Sequence, residues 1–144
     1  MGLRAVTIFL IGILLWMCSA VLPPDALALT QIKLSNLSYH ECPADVGEGA
    51  VDSGGVLMAA HCYIVTGKTL NPSGKVIYNA DIFGRIYDAN GNPVMQNRTR
   101  LGAIETIPPG EGEFELRISV PESQPTPLQL EQFKAAGFTG KVRR

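Results

Sequence analysis

Short runs of alternating apolar and polar residues follow one another along most of this chain, separated by clusters of Gly, Pro, Asn and Asp. Such alternation gives a strand one buried face and one solvent-facing face, as is typical of antiparallel sheets. The clearest run covers 114–120, and others cover 32–42, 56–70, 76–88 and 93–107. The pattern therefore predicts an all-β fold, an antiparallel β-sandwich.

The run over 76–88 assigns its residues to two faces. One face is predicted to carry Val76, Tyr78, Ala80, Ile82, Gly84 and Ile86, with Phe83 as the apolar exception on the other. A hairpin loop should follow, in which Asp88 forms the turn and Asn90-Gly91 can take positive φ at little cost. Residues 43–55 are rich in Gly and acidic side chains and are predicted to form a long loop.

The chain changes character after the last of these strands. Residues 121–127 are proline-rich and predict an extended connector. Thr126 has the chemistry of an N-cap, Pro127 suits the first position of a helix, and Gln129 completes a capping box. We therefore expect a short C-terminal helix over 128–136, followed by a loose basic tail.

The first 28 residues have the organisation of a signal peptide. A single basic residue, Arg4, precedes a long uncharged apolar run, then two prolines, then a small-x-small cleavage site ending at Ala28. Two alternatives remain open, an uncut membrane anchor and a lipoprotein signal ending at Cys18. Cleavage divides the chain into the signal peptide 1–28, a β-sandwich domain over 29–120, and the connector, helix and tail over 121–144.

The charges exclude one class of partner and predict no chemistry. The formal net charge is −1 and no block of like charge runs along the chain, so nucleic acid is not an expected partner. Membrane contact is expected only if the N-terminal segment stays uncut. Because the sequence contains no phosphate loop, no dinucleotide fingerprint and no serine in a nucleophile turn, we expect a non-enzymatic protein without a cofactor.

Two cysteines, Cys42 and Cys62, remain after Cys18 leaves with the signal peptide. An even number of cysteines in an exported domain predicts a disulfide. Closing a loop of roughly 20 residues should contribute about 3 kcal/mol in the chain-entropy description.

A metal-binding or thiol-redox protein is the alternative interpretation of the same residues. Both histidines of the chain lie beside these cysteines, as His40-x-Cys42 and His61-Cys62. With reduced thiols, the four side chains form a possible tetrahedral set for Zn²⁺ or copper. Neighbouring residues of a strand point to opposite faces, so His61 and Cys62 should diverge, whereas His40 and Cys42 can share a face.

One surface is predicted to bind a protein partner. Arg98 and Arg100 lie on one face of a strand that is polar on both sides, where guanidinium groups could bind a carboxylate. Pro125 and Pro127 belong to the extended connector, which suits docking against another chain. The expected partner is a protein, within a membrane complex.

Residues 63–120 resemble the FxLYD type of extracytoplasmic β-sandwich module. The matching pieces are Gly67-Lys68-Thr69-Leu70-Asn71, Ile86-Tyr87-Asp88-Ala89-Asn90-Gly91, Pro109-Gly110 and Phe114-Glu115-Leu116, while Gly84 holds the position of the family's phenylalanine. The resemblance implies an immunoglobulin-like sandwich without catalysis. The export signal and the segment 125–130 are also similar to small lumenal proteins of photosynthetic membranes. The expected function is to assist assembly or stability of a membrane complex, in the periplasm or the thylakoid lumen.

Overall fold

Seven strands make up nearly all of the regular structure in the computed structural model, which describes residues 29–46, 49–53, 55–94 and 100–140. The strands are β1 (Leu29–Glu41), β2 (Gly49–Ser53), β3 (Val56–Asn71), β4 (Ile77–Tyr87), β5 (Arg100–Ile107), β6 (Gly110–Pro121) and β7 (Gln129–Phe138). A 3₁₀ turn at Ala44–Val46 precedes β2. The predicted all-β class is confirmed, and the predicted signal peptide 1–28 lies outside the described residues.

Every strand pair is antiparallel, and the strands follow one another in the order β2-β3-β1-β7-β4-β5, with β6 also paired to β3. β1 connects the strands around β3 with the strands around β7, because residues 29–32 pair with β7 and residues 33–41 pair with β3. β6 in turn approaches β5, the last strand of this order: a Cβ on Gly102 of β5 would collide with the Leu116 side chain of β6. The sheet is therefore nearly closed around its interior.

Apolar side chains, most of them from the inner faces of the strands, fill this interior. Val65, Ile77 and Ile82 are fully enclosed. The rest of the core is contributed by Ile32, Tyr63, Ala80, Ile86, Val94, Ile107, Phe114, Leu116, Ile118, Val120, Leu128 and Ala135. Burial of these apolar surfaces is the main source of stability for a fold of this size.

Strands β1, β4 and β7 each have a bulge that lies opposite a glycine. Asn36, Asn79 and Gln132 have positive φ angles of 51°, 49° and 53°, and the pairing register shifts at each of them. An extra residue bends its strand and increases the local twist, which helps a sheet to close. The glycines opposite are Gly67, Gly137 and Gly84.

Gly84 shows why a glycine is needed at such a position. A Cβ built there would lie 2.6 Å from one carbon of the Phe133 ring, because that ring covers the Gly84 backbone from the neighbouring strand. No side chain fits in this space unless the ring moves.

The predicted C-terminal helix is wrong, because residues 129–138 form strand β7 between β1 and β4. The inward-facing residues of β7 are two positions apart, except across the bulge at Gln132, where they are three positions apart. They are Leu130, Phe133, Ala135 and Gly137. A single step of three makes an alternating strand resemble one turn of an amphipathic helix. The long pairing on both sides outweighs the helical preference of the local residues.

Two further predictions need correction. Part of the predicted loop over 43–55 forms β2, which pairs with the beginning of β3 as a hairpin. The bulge at Asn79 also shifts the faces of β4, so that Ile77 is buried and Tyr78 is only partly buried. Phe83 does lie on the outer face, as predicted.

Asp88 confirms its predicted role in the turn after β4. It is only 2% exposed, and its Oδ1 accepts hydrogen bonds from the backbone N–H groups of Asn90 and Asn92, both at 2.8 Å. Its Oδ2 accepts a third from Asn92 Nδ2 at 3.1 Å. Burial alone raises the pKa of this carboxyl, but the hydrogen bonds from Asn92, Asn90 and Gly91 outweigh burial and lower its pKa below the ordinary value.

The lowered pKa of Asp88 predicts how acid affects stability. Because the folded-state pKa lies below the unfolded one, the carboxylate stabilises the fold above about pH 4, and this contribution is lost as the pH falls through the folded pKa. Asp88→Asn should therefore unfold at a lower temperature than the parent at about pH 7, and the difference should narrow toward about pH 2. Thermal unfolding across this pH range measures it.

Glu111→Gln is the matched control, because Glu111 is an exposed carboxylate at the start of β6. Its melting temperature should follow that of the parent at every pH. A difference between parent and Asp88→Asn that stays constant down to the lowest pH would contradict the prediction.

Candidate functional site

The hairpin formed by β2 and residues 56–60, here called the arm, carries exposed apolar side chains. Val56 is 61% exposed and Leu57 is 77% exposed. Val46, on the 3₁₀ turn before β2, is 37% exposed. Val56 and Leu57 are neighbours in a strand, so they expose apolar surface on both faces of the arm. Exposed apolar surface of this kind can serve as an interaction site. Their exposure was not predicted from the sequence.

The arm is anchored at its base and projects from the core. Ala60 is buried and pairs with Pro121 of β6, and the N–H of Glu122 donates to the Ala59 carbonyl at 3.1 Å. The residues before Ala60 pair with β2. A two-stranded hairpin is only marginally stable by itself, so the arm depends on these contacts at its base.

A disulfide joins Cys42 and Cys62 beside the base of the arm. Cys42 directly follows β1, its N–H donates to the Cys62 carbonyl at 3.0 Å, and the two Cα atoms are 5.3 Å apart. Cys62 is 7% exposed, whereas Cys42 is only partly buried. Nε of Arg117, on the neighbouring β6, donates to Cys62 Sγ at 3.1 Å.

The two histidines are exposed, and the structure gives them separate surroundings. His40 pairs with Ile64 in the ladder, and the His61 ring lies 6.4 Å from the Tyr63 ring. Neither cysteine sulfur is free to bind a metal ion while the disulfide is intact. Over the described residues, no group of three or more His, Cys, Asp or Glu side chains is placed to hold a metal ion.

Of the two arginines predicted to bind a partner, Arg98 lies outside the described residues. Arg100 begins β5, and its Nη2 and Nε atoms lie 2.7 Å and 2.9 Å from Oδ1 of Asp81. The Arg100 side chain is 50% exposed, so this pair is open to solvent. Arg100 would therefore exchange one carboxylate for another if it bound an acidic partner.

The prolines of the connector, Pro125 and Pro127, are exposed on a backbone that is held in place. The Pro125 carbonyl accepts a hydrogen bond from the N–H of Ala89 at 3.0 Å.

Two tyrosines lie beneath the end of the connector. Leu128 N–H donates to Tyr39 Oη at 2.8 Å, and the Tyr39 ring meets the Tyr63 ring edge-on. Burial, followed by the charges of Glu41 and Tyr39, raises the pKa of Tyr63.

The strand register places these features at one end of the sheet. β1, β4 and β6 end there, and β3 and β7 begin there. The arm, the disulfide and the connector all lie at this end, which we call the arm end. Arg100 pairs with Phe83, in the half of β4 nearer to the arm end. The register thus places Pro125 and Pro127 at the same end of the sheet as the arm, while Arg100 lies opposite the middle of β4.

In the part of the chain that the structure covers, no helix is long and apolar enough to cross a membrane. Comparisons with protein families, with characterised proteins and with solved structures found no match to this chain. What the molecule does must therefore be argued from its own residues.

Proposed function

We propose that this protein is an exported, non-enzymatic interaction module that assists assembly or stability of a membrane protein complex. The partner contacts the arm end, with Val56 and Leu57 as apolar anchors and the proline-rich connector beside them. The exposure of 61% and 77% at these two residues is the observation on which the proposal depends.

Binding of a partner would remove the exposed apolar surface of the arm from water. Val56 and Leu57 lose little contact with water on folding, so they contribute little to the stability of the isolated chain. Covering a large apolar side chain by a partner recovers about 1.5–3 kcal/mol. Interfaces depend on a few such buried anchors surrounded by polar residues. The exposed prolines of the connector would supply that surrounding rim.

The proposed location is the periplasm or the thylakoid lumen. A disulfide is compatible with an oxidising compartment, because thiols in the cytosol are kept reduced. The signal peptide proposed for residues 1–28 agrees with export. The finer description of the fold as an immunoglobulin-like sandwich of the FxLYD type stays a prediction, carried by the motif residues of 63–120.

A comparison of two leucines tests the proposed surface. Leu57 and Leu70 are both exposed on β3 but lie at opposite ends of the strand, so Leu70 is a matched control. A photo-activated cross-linker at position 57 should capture a specific protein from native membranes, whereas the same group at position 70 should not. Leu57→Ser should then weaken binding to the identified partner by about tenfold, with folding stability unchanged.

Two outcomes would count against the proposal. Equal capture from positions 57 and 70 would show that the arm end has no special role. Unchanged affinity in Leu57→Ser, measured with purified partner, would show that the arm is not an anchor. Arg98→Glu with Arg100→Glu should weaken capture if these arginines belong to the same surface, as the sequence predicts.

The alternative, a metal-binding protein using His40, Cys42, His61 and Cys62, needs reduced thiols. Elemental analysis of the purified protein under oxidising and reducing conditions tests it directly. A stoichiometric metal ion that binds only after reduction would favour this alternative over the interaction module.

A further inference from the structure

We propose that the Cys42–Cys62 disulfide is a site of thiol–disulfide exchange with a dithiol partner, in which Cys42 is attacked and Cys62 leaves as a thiolate stabilised by Arg117. This inference is independent of what binds the arm. It rests on the different surroundings of the two sulfur atoms.

Access by an incoming thiolate differs between the two sulfur atoms of the disulfide. Exchange requires an incoming thiolate to approach one sulfur of the disulfide in line with the S–S bond. Cys62 is only 7% exposed, within the ladder of β3 with β6, whereas Cys42 follows the end of β1 and is only partly buried. The attacked sulfur is therefore that of Cys42.

The surroundings of Cys62 favour its departure as a thiolate. Exchange is faster when the departing sulfur is better stabilised as a thiolate. Nε of Arg117 already donates to Cys62 Sγ at 3.1 Å, so the guanidinium is in place before any charge develops. A hydrogen bond from a cation to an anion is about twice as strong as one between neutral groups. Arg117 therefore favours departure of Cys62 over departure of Cys42.

The reaction balances with a dithiol as the only co-reactant. Its first thiolate bonds to Cys42 Sγ, the S–S bond breaks, and Cys62 takes the electron pair. The second thiolate of the partner then attacks the partner's own sulfur in this mixed disulfide, and Cys42 leaves as a thiolate. The partner is oxidised to a disulfide and loses two protons, while Cys42 and Cys62 gain two electrons and accept two protons.

His40 lies on the accessible side of this site. Alternate positions of a strand share a face, so the imidazole of His40 and the sulfur of Cys42 lie on the same side of β1. His40 is not required for the bias that Arg117 introduces.

The test compares arginine variants in the full chain carrying Cys18→Ser, so that only two cysteines remain. Reduction by excess dithiothreitol is followed by alkylation and mass spectrometry. Arg117→Gln should slow reduction by about tenfold, because the leaving thiolate loses its charged donor. Arg85→Gln, an exposed arginine of β4 that contacts Tyr87, should stay within about twofold of the parent. Arg117→Lys should recover part of the rate.

A second measurement remains decisive if Arg117→Gln fails to fold. In the protein with Arg117 intact, the mixed disulfide formed with glutathione is trapped and located by peptide mapping, and it should be on Cys42. Glutathione on Cys62 would overturn the proposal, as would equal reduction rates in Arg117→Gln and the parent. Reduction no faster than global unfolding would also overturn it, because the disulfide would then be purely structural.

Discussion

Cys42→Ala combined with Cys62→Ala should lower the free energy of unfolding by about 3 kcal/mol. The disulfide joins residues separated by 20 positions, and the unfolded chain without it gains the freedom of that loop. The loss also removes the covalent link between the end of β1 and the strand that carries the arm. Urea denaturation of the full chain under non-reducing conditions measures the change.

Cys18→Ser is the matched control for this prediction. It removes a cysteine that the disulfide does not use, so its unfolding midpoint should equal that of the parent. A loss below about 1 kcal/mol in the double variant would mean that the pairing of β1 with β3 already restricts this loop in the unfolded ensemble. The stabilisation expected from loop closure would then be wrong.

Gly84→Val should lower the free energy of unfolding by about 3 kcal/mol, at the upper end of the range for overpacked sites. A Cβ at position 84 would lie 2.6, 2.8 and 2.9 Å from three carbons of the Phe133 ring, so the ring must leave its place. Phe133 packs against the core from β7, and its displacement exposes apolar surface. Chemical denaturation of the variant measures the loss.

A double-mutant cycle isolates this contact from other effects of valine. Phe133→Ala removes the ring, and Gly84→Val in that background has room for its side chain. The two substitutions together should therefore destabilise by at least about 1 kcal/mol less than the sum of their separate effects. Simple additivity would mean that the cost at position 84 comes from the strand backbone rather than from the ring.

How far the fold was predictable depends on how regular each strand is. β6 was predicted because Phe114, Leu116, Ile118 and Val120 alternate without interruption, and all four are buried. β7 was predicted as a helix because its alternation breaks once, at Gln132. A bulge is stabilised by the neighbouring strands, so nothing within the strand itself reveals it. β2 was missed because it is short and lies within a glycine-rich segment, and because β3 is its single partner among the described strands.

Some features of the candidate site were also predictable from the sequence, and others were not. The pairing of Cys42 with Cys62 was predictable, because they are the two cysteines that remain if residues 1–28 are the cleaved signal peptide that the sequence predicts. The contact of Arg117 with Cys62 was not, because it joins residues 55 positions apart through the register of β3 with β6. The exposure of Val56 and Leu57 was equally hidden, since an apolar residue of a strand is normally expected to be buried.

By itself, the sequence determined the strand class, most turns, the position of Asp88 in its hairpin and the disulfide partners. The strand class, the turns and the position of Asp88 follow from residues that are close together in the sequence. The disulfide partners follow from the number of cysteines that remain after the predicted cleavage. Only the tertiary structure decided where the strands lie beside one another, which glycine each bulge covers, and which apolar residues stay in water. Those outcomes depend on contacts between residues far apart in the chain, and the energy of such contacts is set by register and closure of the whole sheet.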